Sequence, residues 1–74
     1  LKELNLNNNF IKSIKNTNLR NLTKLTVLNF SLNQLSKIEK KSFKNLLNLV
    51  KLDLGKNCLF RLDPQLFSNL KLLR

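Results

Sequence analysis

Leu25-Thr26-Val27-Leu28-Asn29-Phe30-Ser31-Leu32-Asn33-Gln34-Leu35 lies near the middle of the chain and decides how the rest is read. Leu28-Asn29-Phe30 alternates apolar and polar, the period of a half-buried strand. Asn33 follows, then Leu35. The same order stands 24 residues earlier as Leu4-Asn5-Leu6, Asn9 and Ile11, and 24 residues later as Leu52-Asp53-Leu54, Asn57 and Leu59. Self-similarity at a fixed period of this size marks a stack of repeated units rather than one conventional core.

Working outward, the register holds elsewhere. Leu1, Leu25, Leu49 and Leu73 form one column; Ile14, Ile38 and Leu62 a second; Leu19, Phe43 and Phe67 a third; Leu22, Leu46 and Leu70 a fourth. No insertion or deletion interrupts them. They divide the chain into units 1–24, 25–48 and 49–72, with the start of a fourth at 73–74. One strand per unit, always in the same direction, predicts a parallel sheet with strands about 4.8 Å apart. The return path has irregular apolar spacing and is expected to use loops and short helical turns, with Asp63-Pro64 favouring a turn. The expected class is an α/β repeat solenoid.

Asn9, Asn33 and Asn57 each follow a strand by three residues. A carboxamide carries donors and an acceptor. Turned inward, it can satisfy backbone groups freed where the strand bends away, in its own unit and the next. This predicts a structural polar ladder, tolerable only when every member is satisfied; a catalytic or ligand-binding role is the weaker alternative. Phe43 and Phe67, with Leu19, are expected to form a packed spine rather than a ligand-binding aromatic box. Their bulk widens the outer wall, which predicts a curve with the sheet on the concave face.

The pattern from Leu25 to Leu35 resembles the leucine-rich-repeat signature L-x-x-L-x-L-x-x-N-x-L. The tail of each unit, such as Ile38 followed by Phe43-Lys44-Asn45-Leu46, resembles the ending of the 24-residue typical subclass. Phe30 in place of a strand leucine and Leu19 in place of phenylalanine are the departures. The resemblance implies a horseshoe that binds proteins on its concave sheet. It also implies an extracellular or cell-surface setting, as in membrane receptors and adhesion proteins. An intracellular repeat scaffold is the less favoured setting. In that family cysteine-rich caps close the array; none is present, and the chain reads as an internal fragment of something longer. Fold alone does not settle which ligand is bound.

Composition narrows the chemistry. The 74 residues include a single cysteine, Cys58, no histidine and no methionine, so no internal disulfide can form. No signal peptide is visible, and no apolar run approaches the roughly 20 residues needed to span a bilayer, so no membrane insertion by this segment is expected. Without histidine, Ser-His-Asp and Cys-His arrangements cannot be built. Glu3, Glu39, Asp53 and Asp63 do not group, and Gly55 is the only glycine, so no phosphate-cradling loop can be written. No catalytic residue, metal site or cofactor is expected. Cys58, between a ladder asparagine and a core position, is expected to be a partly buried small hydrophobe, bridging to a cysteine outside the chain being the alternative.

Strand-flanking residues that point away from the core form the candidate protein-contact set. They are Lys2, Glu3, Asn5, Asn7 and Asn8; Thr26, Val27, Asn29, Ser31 and Leu32; and Val50, Lys51, Asp53, Gly55 and Lys56. Val27, Leu32 and Val50 add apolar area to a polar surface, which suits a protein ligand or co-receptor. The competing reading is a spacer, with the contact elsewhere in the array.

The formal charge is +10, from fourteen Lys or Arg against four acidic residues. A joint lysine and asparagine excess is also what an AT-rich genome would leave on exposed positions. Lys12, Lys37 and Arg61, with Lys15, Lys40 and Lys41 close by and Lys44 farther along, are expected to align as a basic ridge beside the sheet. Such a ridge suits an acidic polysaccharide, acidic protein or nucleic acid. Glu39 and Asp63 partly offset it. Only Phe10 and Phe60 stand at its edge, so single-strand nucleic-acid recognition is poorly supported. Two glycosylation sequons begin at Asn21 and Asn29. Asn21 is expected on an exposed outer turn, whereas a glycan at Asn29 would block the middle of the sheet face.

Overall fold

The computed structural model describes residues 2–59 and 62–73. Three short strands, β1 (Glu3–Asn5), β2 (Val27–Asn29) and β3 (Lys51–Asp53), form one parallel sheet in the order β1-β2-β3. Leu4 lies opposite Leu28 and Leu28 opposite Leu52, so the pairing register is the 24-residue offset of the sequence. The ladder continues past the strand ends: the Leu6 amide donates to the Asn29 carbonyl at 2.8 Å, and the Phe30 amide to the Asp53 carbonyl at 2.8 Å. Each unit therefore has neighbours in space that are identical in phase, which is the geometry of a solenoid.

A second, two-stranded parallel sheet lies beyond the turn. It pairs β4 (Ser13–Ile14) with β5 (Lys37–Ile38), Ser13 opposite Lys37 and Ile14 opposite Ile38. The return path was expected to be loops and helical turns, so this strand pair is a correction. Two residues are too few to show an alternation in sequence. The α part of the expected class is corrected too. Among the described residues there is no α-helix, only the 3₁₀ turn Pro64–Phe67. The reason lies in how the return backbone is bonded. Leu22, Leu46 and Leu70 donate to Leu19, Phe43 and Phe67, and Leu25, Leu49 and Leu73 donate in turn to Leu22, Leu46 and Leu70, at 3.1–3.2 Å. Each bond spans three residues, which makes a chain of tight turns rather than a helix.

The core runs between the two sheets and the turns. Leu25, Leu28, Phe30, Leu35, Phe43, Leu46 and Leu49 are buried, together with Ile14, Leu19, Leu66 and Leu70. Burying a leucine or phenylalanine of this kind contributes about 1.5–3 kcal/mol. The second unit supplies most of the fully buried side chains because it is covered on both sides, whereas Leu4 and Leu52 are half-buried. Ser42 and Leu66 occupy one further inward position of the return; the column reads Asn18, Ser42, Leu66, three unlike residues that give no periodic signal.

Asp63 begins the 3₁₀ turn as expected. Its carboxylate accepts the Gln65 amide at 2.8 Å, and Pro64 takes the first position, where its missing N–H costs nothing.

Candidate functional site

Two rows of side chains cross the outer face of the three-stranded sheet. Glu3, Val27 and Lys51 stand opposite one another, as do Asn5, Asn29 and Asp53. The second row is held by one recurring bond. The side-chain oxygens of Asn5, Asn29 and Asp53 accept the amides of Asn7, Ser31 and Gly55 at 3.1, 2.9 and 2.9 Å. These Asx turns lock the side chains at the strand ends and leave a firm polar edge. Gly55 suits this bond, since an added Cβ would stand 3.1 Å from the Asp53 carboxylate oxygen.

The remaining residues of the set continue these rows. Asn8, Leu32 and Lys56 all adopt left-handed backbone conformations, with φ of 58°, 57° and 54°. This third row directs the chain out of the sheet; the amides of Asn8 and Leu32 donate to Ser31 and Gly55 carbonyls at 3.0 Å. Leu32 is exposed. On the other side of the strands, Lys2 is exposed while Thr26 and Val50 are half-buried. The Lys2 carbonyl takes the Thr26 amide and hydroxyl, and the Thr26 carbonyl takes the Val50 amide.

Beneath this face lie the ladder asparagines. Asn33 is buried, and its carboxamide nitrogen donates to the carbonyls of Leu6 at 2.9 Å, Phe30 at 2.9 Å and Ser31 at 3.2 Å. Its oxygen accepts the amides of Asn9 and Ile11, both at 3.1 Å. Asn57 repeats this with the carbonyls of Phe30, Leu54 and Gly55 and the amide of Leu35. The reach was expected toward the following unit; both residues reach back to the preceding one. Asn9 is exposed and bonds the Leu6 and Asn7 carbonyls of its own unit. No buried polar side-chain atom lacks a partner among the described residues.

The basic residues among those described are all on the surface, but the expected row of Lys12 with Lys37 does not form. Lys37 pairs with Ser13, and Lys12 stands one residue earlier, its carbonyl accepting the Ser36 amide at 3.0 Å. The two lysines are therefore offset by one residue, and Lys12 is level with Ser36 rather than with Lys37. Arg61 and Phe60 lie outside the described residues. Lys15, Lys40, Lys41 and Lys44 are exposed on the returns. The Glu39 carboxylate, in addition to its charge, accepts the Asn16 amide at 2.6 Å.

Asn21 is exposed in a turn; Asn29 is half-buried within the sheet. Cys58 is exposed, which corrects the expectation of partial burial. It shares a column with Phe10 and Gln34, also exposed, because the chain alternates there and the flanking Asn57 and Leu59 are the residues turned inward. Among the described residues no group of His, Cys, Asp or Glu is arranged to hold a metal ion, and no helix is long and apolar enough to cross a membrane.

No curated protein matches the chain. A family model described as Leucine rich repeat matches residues 1–46 and again residues 33–74. Domains of this kind are in general non-enzymatic and commonly bind proteins. With its in-phase parallel strands, its inward asparagines and a match that spans its whole length, the chain belongs to the leucine-rich-repeat family.

Proposed function

We propose that the chain is a ligand-recognition segment of an extracellular or cell-surface receptor or adhesion protein, and that it contacts a protein ligand or co-receptor through the outer face of its three-stranded sheet. In this reading the units 1–24, 25–48 and 49–72, with 73–74 opening a fourth, form part of a horseshoe of the 24-residue subclass. The sheet lies on its concave side. Support for the curvature comes from spacing: the rings of Phe43 and Phe67 on the far wall are 6.2 Å apart, against about 4.8 Å for neighbouring strands.

The observation that carries the proposal is the register of the outward rows on the hydrogen-bonded sheet. Glu3, Val27 and Lys51 put an acid, a small apolar side chain and a base across three strands, beside the bonded edge of Asn5, Asn29 and Asp53. Such a mixed face suits a protein surface with an apolar centre and polar rim. A photocrosslinking residue placed at Lys51 should capture a discrete protein on the producing cells, and one placed at Asn48 on the return should not. Equal capture from both positions would sink the reading.

The cellular setting has its own test. Glycosidase treatment of the protein from its own cells should increase its gel mobility, and the change should disappear with Asn21→Gln. A shift that tracks Asn29 instead would remove the middle of the sheet as a contact surface. Absence of any shift would count for an intracellular scaffold.

A further inference from the structure

The returns of the first and second units are tied together by side chains. The Asn16 amide donates to the Glu39 carboxylate, the Lys41 amide donates to the Asn16 side-chain oxygen at 3.1 Å, and the Ser42 hydroxyl donates to the Ile14 carbonyl at 3.2 Å. Asn45 adds a bond from its side-chain nitrogen to the Arg20 carbonyl at 3.1 Å. The second and third returns meet at the same positions 24 residues on, but different residues stand there. Lys40 replaces Asn16 and carries no acceptor for the Gln65 amide. Asp63 replaces Glu39, is shorter, and spends its carboxylate on that same Gln65 amide of its own turn. Leu66 replaces Ser42 and has no hydroxyl. What remains is Asn69 to the Lys44 carbonyl at 3.5 Å, a lengthened copy of the Asn45 bond.

A cleft of about 200 Å³ opens where these ties are lost. Lys40, Lys41 and Lys44 line one side; Gln65, Ser68 and Asn69 line the other, with Leu66 at its floor. Lys40, one of the residues that remove the ties, stands with Lys41 and Lys44 as three cations within five positions of one return. A recess with low-dielectric walls and one sign of charge concentrates the field on an entering anion more than a flat surface does. No acidic side chain lines it.

We propose that this cleft binds a sulfated polysaccharide, the three ammonium groups holding sulfates and the Gln65, Ser68 and Asn69 side chains meeting sugar hydroxyls. Nucleic acid is the poorer fit, because no aromatic side chain lines the cleft for a base to stack on. The surface is separate from the sheet face and stands whether or not that face binds protein.

The test uses heparin, desulfated heparin, oligothymidylate and polyglutamate as probes in titrations over a range of salt. Lys40, Lys41 and Lys44 are changed together to Gln; the control variant, Lys12→Gln with Arg20→Gln and Lys24→Gln, removes the same charge from exposed positions outside the cleft. The cleft variant should bind heparin about tenfold or more weakly and lose roughly two to three units of the slope of log affinity against log salt, by analogy with counterion release from other polyanions. The control should lose much less. Equal losses in the two variants would show a diffuse charge effect and overturn the site. So would failure of heparin to bind, equal binding of desulfated heparin, or tighter binding of oligothymidylate or polyglutamate than of heparin.

Discussion

The rings of Phe43 and Phe67 stack across neighbouring units with centroids 6.2 Å apart and planes inclined by 25°. Phe43 is fully buried and Phe67 partly so, and the pair joins the second and third returns. Phe43→Ala should cost about 3–5 kcal/mol, enough to unfold a chain of this size. Phe43→Leu should be milder, since Leu19 fills the same column in the first unit. Urea denaturation measures both; equal losses would show that an aliphatic side chain cannot stand in for the ring and overturn the expectation taken from Leu19.

Asn33 offers a contrast with Asn9. Removing the Asn33 carboxamide takes away the acceptor of the Asn9 and Ile11 amides and one of the two donors to each of the Leu6 and Phe30 carbonyls, which keep Asn9 and Asn57. An unsatisfied buried group costs about 1–3 kcal/mol, so with two amides left without an acceptor Asn33→Ala should destabilise by about 2–4 kcal/mol. Asn9→Ala, at an exposed site bonded only within its own unit, should cost less than about 1 kcal/mol. Hydrogen exchange at the Ile11 amide is the sharper check. It should accelerate in Asn33→Ala well beyond the change in global stability.

Leu32 holds φ at 57° while 46% exposed, so it bears left-handed strain without the compensation of burial. Asn tolerates this conformation and stands in the same column at Asn8. Leu32→Asn should therefore stabilise by about 1 kcal/mol, a rise in Tm of roughly 4–8 °C. Leu32→Val should destabilise, because a β-branched side chain fits that region poorly. If both variants melt together, the strain is absent in solution.

Cys58 is open to solvent in the folded chain. A maleimide should label it fully without denaturant and with little change in the far-ultraviolet circular dichroism spectrum. Labelling that appears only in urea would return Cys58 to the interior.

The columns Leu4-Leu28-Leu52 and Asn9-Asn33-Asn57 were legible because strand, bend and core each demand one residue type at one place in every unit. The position Asn18-Ser42-Leu66, buried in the second and third units and exposed in the first, was not, since its three residues are chemically unlike. The β4–β5 pair escaped notice because two residues carry no period. Lys12 was misplaced by counting charges along the chain, when the register of Ser13 with Lys37 puts Lys12 one residue out of step. The exposure of Cys58 follows from the alternation that turns its neighbours Asn57 and Leu59 inward. The cleft depended on three substitutions whose effect appears only once neighbouring returns are superimposed.

The backward reach of Asn33 and Asn57 gives the stack a chemical polarity. One cross-section offers carboxamides, and the opposite one offers the bend amides and carbonyls that receive them. Two such bodies laid end to end can join these groups in one sense only, head to tail. A head-to-head or tail-to-tail pairing sets like groups against like. Any longer assembly extended through these ends is consequently directional, much as a screw thread continues only into a matching thread.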